Sequence, residues 1–151
     1  MFNTSTMKAT VKVTVSLFDK EGNLKTEQNI TNLVVDDGLE FIASRMKDTS
    51  ATAMSHMEVG TGTTSPAAGD TTLETAIVSS RTALTSTTVT SNAIEYIGDF
   101  PAGTGTGAVT EAGIFNASSA GSLLCRTVFS VVNKGADDTL KITWTVTVSD
   151  S

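Results

Sequence analysis

The stretch "DTLKITWTVTVS", residues 138–149, decides the fold class of this chain. Apolar and polar residues alternate along it. One row holds Leu140, Ile142, Trp144, Val146 and Val148, and the other holds Lys141, Thr143, Thr145 and Thr147. A period of two puts the rows on opposite faces of a strand, so the segment predicts a half-buried β-strand. We expect the row with Trp144 to lie in the core.

A hairpin is predicted near the start of the chain. Residues 8–18, "KATVKVTVSLF", alternate in the same way, and residues 24–35, "LKTEQNITNLVV", return as the second arm. The linker "DKEGN", residues 19–23, resembles the start of a calcium loop, but the rest of the twelve-residue pattern, including its closing Glu, is missing. A turn with Gly22 at positive φ is therefore expected.

One helix is predicted. The stretch "DDGLEFIASRMK" opens with Asp36 or Asp37 as the N-cap, and its apolar residues follow at helical spacing, which gives a helix over about 37–47. We expect its apolar stripe to pack on the strands and its polar positions to face solvent or a neighbour. The stripe is Leu39, Ile42, Ala43 and Met46, and the polar positions are Glu40, Ser44 and Lys47.

The rest of the chain reads as short strands divided by Gly, Pro, Asp and Ser. Their predicted ranges are 53–59, 77–90, 92–100, 108–116 and 122–132. Strands at this spacing indicate a sandwich or barrel. We expect a single domain over residues 8–151, preceded by an N-terminal arm, residues 1–7. The residues predicted to be largely buried are Val13, Val15, Leu17, Ile114, Phe129, Ile142, Trp144 and Val146.

Composition and charge argue against several classes of partner and site. The net charge is −6, and the ten Lys and Arg residues are scattered, so a nucleic-acid partner is not expected. A single cysteine, Cys125, can form neither an internal disulfide nor a cysteine-based zinc site. The sequence contains no apolar run typical of a signal peptide or a membrane span, so we expect no membrane partner and assembly in the cytoplasm.

The loop "VGTGTTSPAAGDTTLE", residues 59–74, raises the question of phosphate binding. A P-loop needs a Lys followed by Ser or Thr after its second spaced glycine, whereas Gly69 is followed by Asp70 and Thr71. The glycines of a dinucleotide-binding fingerprint would begin a long helix, whereas Pro66 interrupts any helix in this stretch. We interpret the stretch as a Gly-rich connection that enters one helical turn capped by Asp70.

No catalytic or metal constellation stands out. His56 is the only histidine and no G-x-S-x-G elbow accompanies it, so a packed or surface role is expected. Cys125 is expected to be a buried small hydrophobe. We predict that the protein is not an enzyme and needs no cofactor or metal. Glu111 and Arg126 lie in mostly apolar stretches, and a charged pair joining adjacent strands would explain both.

The order of several stretches resembles a group of small virion structural proteins of tailed bacteriophages. In that group a GTGT loop precedes a D-x-x-L turn, a later E-A-G-I-F-N strand leads to L-L-x-R-x-x-F, and the chain ends in an I-T-W strand. The matching positions are Gly60–Thr63, Asp70–Leu73, Glu111–Asn116, Leu123–Phe129 and Ile142–Trp144. Arg81 and the segment "NLVVDDGLEFIASRM", residues 32–46, also fit, so the resemblance covers most of the chain.

The resemblance implies an antiparallel β-sandwich of jelly-roll type, no catalysis and a place in the virion, assembled in the host cytoplasm. The leading interpretation is a capsid decoration, or cement, protein on the outer surface of the head, with the major capsid protein as partner. A tail, collar or fibre-attachment subunit is the alternative, and a glycan-binding module is a lesser one.

The resemblance also leads us to expect a homo-oligomer, with a trimer on a three-fold axis favoured, because multivalent binding suits a symmetric lattice. We expect the N-terminal arm to contact a second copy or the capsid shell through its apolar residues Met1, Phe2 and Met7, with packing along its own sandwich as the alternative.

Overall fold

A computed structural model describes residues 6–47 and 51–150. Within these ranges the chain is mainly β, with one helix, as predicted. The elements are β1 (Met7–Phe18), β2 (Leu24–Leu33), α1 (Asp36–Lys47), β3 (His56–Gly60), β4 (Thr82–Ala83), β5 (Ser86–Thr90), β6 (Ala93–Phe100), β7 (Gly107–Phe115), β8 (Leu123–Lys134) and β9 (Thr139–Asp150).

The strands form two antiparallel sheets. The first has the order β2-β1-β9-β6-β5, and the second has the order β4-β3-β7-β8. The strand predicted over residues 138–149 is present as β9, at the centre of the five-stranded sheet. Its Trp144 lies opposite Val13 of β1 on one side and Tyr96 of β6 on the other. The arrangement is a β-sandwich.

The core lies between the sheets, and the predicted inner rows are confirmed except at Val148, which is half-buried near the end of β9. Each of the eight residues expected to be largely buried is buried, and Trp144 has no exposed surface. β7 and β8 contribute the opposing face, including Ile114, Leu124 and Phe129. A second, smaller apolar cluster contains Val35, Leu73, Phe115 and Leu123. Alternation therefore identified the buried face of β1 and β9 correctly.

The predicted turn at residues 19–23 is also confirmed. Gly22 has φ of 86°, and its N–H donates to the carbonyl of Asp19 at 3.0 Å. The Asp19 carboxylate accepts from the N–H groups of Glu21 and Asn23, each at 2.9 Å. The acidic residue therefore closes a hairpin turn with its own backbone, as Asp does in such turns.

The prediction of one strand over 77–90 is wrong. The chain turns at residues 77–80, where the N–H of Ser80 donates to the carbonyl of Ile77, and the strands that follow, β4 and β5, belong to different sheets. The buried Ser80 hydroxyl donates to the carbonyl of Val59 at 2.9 Å, which ties this turn to β3. A long-range hydrogen bond therefore interrupts what local propensity favours as continuous strand.

The helix is present, but its predicted packing face is wrong except at Ile42. Leu39, Ala43 and Met46 are exposed, and Met46 is 81% exposed. Phe41 and Ile42 pack against the core instead. Glu40 and Lys47 are exposed as expected, whereas Ser44 is half-buried.

The first turn of α1 explains this rotation. A Cβ on the buried Gly38 would collide with the backbone carbonyl of Leu124, so only glycine allows this close approach to β8. The Asp37 carboxylate accepts the N–H of Leu123 at 2.7 Å. These contacts hold the helix start against β8, and the helix then turns Phe41 and Ile42 inward.

Side chains close one side of the sandwich. The Gln28 amide of β2 donates to the carbonyl of Ser130 on β8 at 2.7 Å and accepts its N–H at 3.0 Å. The Asn32 amide donates to the carbonyl of Arg126. An amide side chain can replace a backbone partner in this way, so the outer edge of β8 is covered by β2.

Candidate functional site

The strongest concentration of buried charge lies where the Gly-rich loop meets β7 and β8. Glu111 on β7 has no exposed surface, and its carboxylate accepts four hydrogen bonds. Three come from backbone N–H groups, those of Gly62 at 2.8 Å, Glu74 at 2.9 Å and Thr75 at 2.7 Å. The fourth comes from the Arg126 guanidinium, Nε to Oε1, at 2.8 Å. The loop is thus fastened to the sheet by one carboxylate.

Arg126 completes this cluster from the neighbouring strand. Its Nη1 lies 3.1 Å from Oδ2 of Asp70, and its side chain is 2% exposed. The charged pair that the sequence predicted between Glu111 and Arg126 is therefore confirmed. Its extension to Asp70 was missed, because no local pattern links residues so far apart in the chain. We call these three side chains the Asp70–Glu111–Arg126 cluster.

Hydrogen bonds and charge favour the ionised forms of Glu111 and Arg126. Burial alone would raise the pKa of Glu111, but its hydrogen bonds from Arg126 and from the three loop amides together outweigh burial and hold that pKa below its usual value. Burial likewise opposes the charge on Arg126, yet the Glu111 carboxylate raises the pKa of the guanidinium. A buried charge pair of this kind needs its remaining hydrogen bonds satisfied, and the loop amides satisfy those of Glu111.

The backbone amides of the Gly-rich loop bind anions, but these anions are the protein's own carboxylates. Gly62 donates to Glu111, and Thr63 and Thr64 donate to Oε1 of Glu74 at 2.8 and 3.1 Å. The Thr64 hydroxyl, with these two amides, lowers the pKa of Glu74. The loop is a connection, as interpreted from the sequence, although no helical turn follows it.

A polar cleft of about 370 Å³ lies over this loop. It is lined by Thr64, residues 69–74 and Arg126. Asp70, expected as a helix cap, instead accepts the N–H of Ala67 at 2.9 Å and pairs with Arg126. The carboxylate thus joins the cleft to the buried cluster.

Arg81 fastens a second loop. Its guanidinium carbon lies 3.6 Å from the centroid of the Phe115 ring, and Nη1 donates to the carbonyls of Ala117 and Ala120 at 3.1 and 2.9 Å. Nη2 lies 3.2 Å from a carboxylate oxygen of Glu58. The side chain therefore combines ring stacking with an ion pair to shape the turn after β7.

In the part of the chain that the structure describes, neither residue weighed for catalysis bonds to the cluster, although Cys125 is the chain neighbour of Arg126 on β8. His56 is half-buried on β3, with Nδ1 2.8 Å from the Oγ of its neighbour Ser55, and among the described residues no carboxylate bonds to its ring. Cys125 is fully buried, and burial raises the pKa of its thiol. The described residues hold no group of three or more His, Cys, Asp or Glu arranged for a metal ion.

Apolar side chains remain uncovered around helix α1. A groove of about 210 Å³ lies between the helix and the outer ends of β1 and β9. We call it the first helix groove, and its apolar lining is Met7, Ala9, Leu39, Ile42, Ala43, Met46 and Val148. Of the expected assembly contacts, Met7 lines it and is 70% exposed, whereas Met1 and Phe2 lie outside the described residues.

A further groove of about 260 Å³ lies on the other side of the helix, towards β5 and β6. Its apolar lining is Phe41, Ile42, Val89, Ile94, Tyr96, Leu124, Val146 and Val148, and we call it the second helix groove. Val89 is 67% exposed. The helix therefore covers this end of the five-stranded sheet only in part.

Comparison with protein-family models, with curated proteins and with solved structures finds no match to this chain. No helix in the described ranges is long and apolar enough to cross a membrane.

Proposed function

We propose that this chain is a structural protein of a tailed-bacteriophage virion and that it decorates the outer surface of the capsid. The observation that carries the proposal is where the residues of the resemblance lie. Gly60–Thr63 contributes the Gly62 amide, Asp70–Leu73 contributes Asp70, and the two later stretches contribute Glu111 and Arg126. Segments distant in sequence therefore meet in one cluster.

This convergence gives the resemblance a physical basis. Each residue type is needed for its contact: a Cβ at Gly62 would collide with the Glu111 carboxylate, and Arg126 bonds two carboxylates through different nitrogens. The shared motifs thus specify how a long loop is held to a sheet. Likeness in such a network supports a common architecture, including the jelly-roll type that forms part of this proposal.

A surface suited to attachment accompanies the network. The first helix groove exposes Met7, Leu39 and Met46 together, at 70%, 48% and 81%. Contiguous apolar side chains on a protein of net charge −6 favour contact with another protein surface. We propose the major capsid protein as that partner and the first helix groove as part of the contact.

The proposal is tested by locating the protein in purified particles. Antibody or gold labelling followed by electron microscopy is expected to mark the whole head surface, with hundreds of copies per particle (an order-of-magnitude expectation for a lattice of repeated sites). Label confined to the tail, with a handful to a few dozen copies, would instead identify a tail or collar subunit. Absence from purified virions would reject both.

A binding assay tests the contact itself. Met46→Glu places a charge in the first helix groove and is expected to weaken binding to emptied heads at least tenfold. Val78→Glu is the matched control, because Val78 is 89% exposed and lies in a turn away from the groove. Equal binding by both variants would remove the groove from the proposed contact.

A further inference from the structure

Strand β5 leaves one edge of the five-stranded sheet open. It is the last strand in the order β2-β1-β9-β6-β5 and pairs only with β6. Within the described residues, no hydrogen bond or strand pairing reaches its other edge. Four of its five residues, 87–90, are exposed. An open strand edge is a template for pairing with another chain.

The other edge strands are protected. Gln28 and Asn32 of β2 bond to the outer edge of β8. β2 itself carries Lys25 and Glu27, and charges on an edge strand discourage pairing. β4 has only two residues. β5, by contrast, reads Ser-Thr-Thr-Val-Thr and carries no charge and no proline. It is therefore the edge best suited to an additional strand.

The hairpin geometry shows which backbone groups are available. β5 and β6 are joined by the two-residue turn Ser91–Asn92, so Thr90 and Ala93 form the closing pair. In such a hairpin the closing pair is hydrogen-bonded, and bonded residues then alternate along the strand. The N–H and C=O groups of Thr87 and Val89 consequently point away from β6, toward the open edge.

We propose that two copies of this chain pair through β5, antiparallel about a two-fold axis at Thr88. In this register Thr87 lies opposite Val89 of the partner subunit, and Thr88 lies opposite its own equivalent. The outward groups of Thr87 and Val89 then bond across the axis, and the two sheets become one continuous sheet. The contact is isologous, with the same strand used by both copies.

The sequence of β5 favours a second copy as the occupant. The strand is nearly symmetric about Thr88, so self-pairing juxtaposes only uncharged residues, mostly β-branched, which pair well across strands. The net charge of −6 opposes association of two copies, but β5 itself carries no charge, so no like charges meet within the strand pair. Val89, 67% exposed beside Phe41 and Ile94 in the second helix groove, would be covered by the added strand.

This inference is independent of the proposed virion role, because it concerns the isolated protein. It differs from the trimer expected from the resemblance, since a two-fold contact generates a dimer.

Cysteine cross-linking tests the register. At the two-fold axis the Thr88 pair is not hydrogen-bonded, so its Cα atoms lie about 4.5 Å apart, within disulfide range. Thr88→Cys is therefore expected to form a covalent dimer on mild oxidation. Thr90→Cys is the matched control on the same strand and face, and its equivalents lie about 13 Å apart. The native Cys125 is fully buried and does not interfere.

A dimer formed by Thr88→Cys and not by Thr90→Cys supports the proposal. Equal cross-linking of both variants, or of neither, overturns it.

Sedimentation and amide-exchange measurements provide a second test, which introduces no cysteine. The unmodified protein is expected to dimerise with rising concentration. Val89→Lys is expected to raise the protein concentration at the midpoint of dimerisation at least tenfold, whereas Val78→Lys is expected to leave that concentration unchanged. Amide exchange at Thr87 and Val89 is expected to slow on dimerisation, which keeps the proposal testable if a variant folds poorly. A protein that stays monomeric, or a trimer unaffected by Val89→Lys, contradicts the β5 contact.

Discussion

At the scale of single residues, the most unusual feature is the carboxylate of Glu111, which has no exposed surface. Glu111 is stabilised in the core because three loop amides and Arg126 replace its hydration. A buried ion pair is weak evidence that the fold gains net stability from it. Removing one partner is nevertheless expected to destabilise the fold strongly, because the other charge stays buried without compensation.

Glu111→Gln is expected to lower the free energy of unfolding at pH 7 by about 3–5 kcal/mol, because Arg126 loses a buried counter-charge and the loop amides lose an acceptor. Chemical denaturation measures this loss. Glu40→Gln, at an exposed helix position, is the control and is expected to change stability by less than about 0.5 kcal/mol. Equal effects would show that the buried pair does not stabilise the fold.

The same variant carries a pH prediction. Because the folded-state pKa of Glu111 is depressed, its contribution is present above the unfolded pKa and is lost as pH falls through the folded value. The stability difference between wild type and Glu111→Gln should stay constant from pH 7 to about pH 5 and shrink below about pH 4.5. A difference that grows with acidification would contradict the assigned direction.

At the scale of elements, β9 organises the five-stranded sheet, and Trp144 lies at its centre without exposed surface. Trp144→Ala is expected to cost about 3–5 kcal/mol, since it leaves a large cavity between the sheets. Trp144→Phe retains most of that volume and removes an indole N–H that has no partner among the described residues, so it should cost less. Denaturation midpoints of both variants provide the comparison, and an unchanged midpoint for Trp144→Ala would mean that the strand does not support the core.

Helix α1 offers a prediction that separates its observed orientation from the one expected from its sequence. Phe41 packs against the core, so Phe41→Ala should lower stability by about 1–3 kcal/mol, whereas Met46→Ala should change it by less than about 0.5 kcal/mol. Thermal or chemical unfolding measures both. The reverse order would indicate that the helix turns its Leu39–Met46 stripe inward.

At the scale of the whole molecule, the sandwich has one covered strand edge and one open strand edge. β2 covers the edge of β8 with amide side chains, whereas β5 is open and helix α1 leaves apolar grooves beside it. The contact surfaces that we propose therefore lie at the helix and at β5, and neither includes a residue of the Asp70–Glu111–Arg126 cluster. Glu111 and Arg126 are buried, whereas the surfaces proposed for assembly are exposed.

The N-terminal arm gives a prediction at this scale. Deleting residues 2–6 is expected to leave the unfolding midpoint nearly unchanged, because β1 begins at Met7, and to weaken attachment to the particle. Binding to emptied heads, measured beside a calorimetric melt, tests both parts. If the shortened protein binds as well as the full chain, the arm is not an anchor.

The sequence by itself determined the elements whose pattern is local. Alternation in β1 and β9 identified their buried faces, and the chemistry of Asp19 and Gly22 predicted the hairpin turn, because turn hydrogen bonds act within a few residues. Helical spacing predicted α1, but Asp36 lies inside the helix and the Asp37 carboxylate accepts the N–H of Leu123 on β8 instead of capping the helix. The mostly apolar neighbours of Glu111 and Arg126 in the sequence also made their pairing predictable, because a charged residue in a buried strand requires a partner.

Only the tertiary structure decided the features that depend on distant contacts. Gly38 meeting Leu124 rotated the helix away from its apolar stripe, and Ser80 bonding to Val59 divided a predicted strand between two sheets. Asp70 joined Arg126 from across the chain. In each case a buried polar group or a close backbone approach imposed a larger free-energy demand than local propensity, and such contacts have no signature in linear spacing.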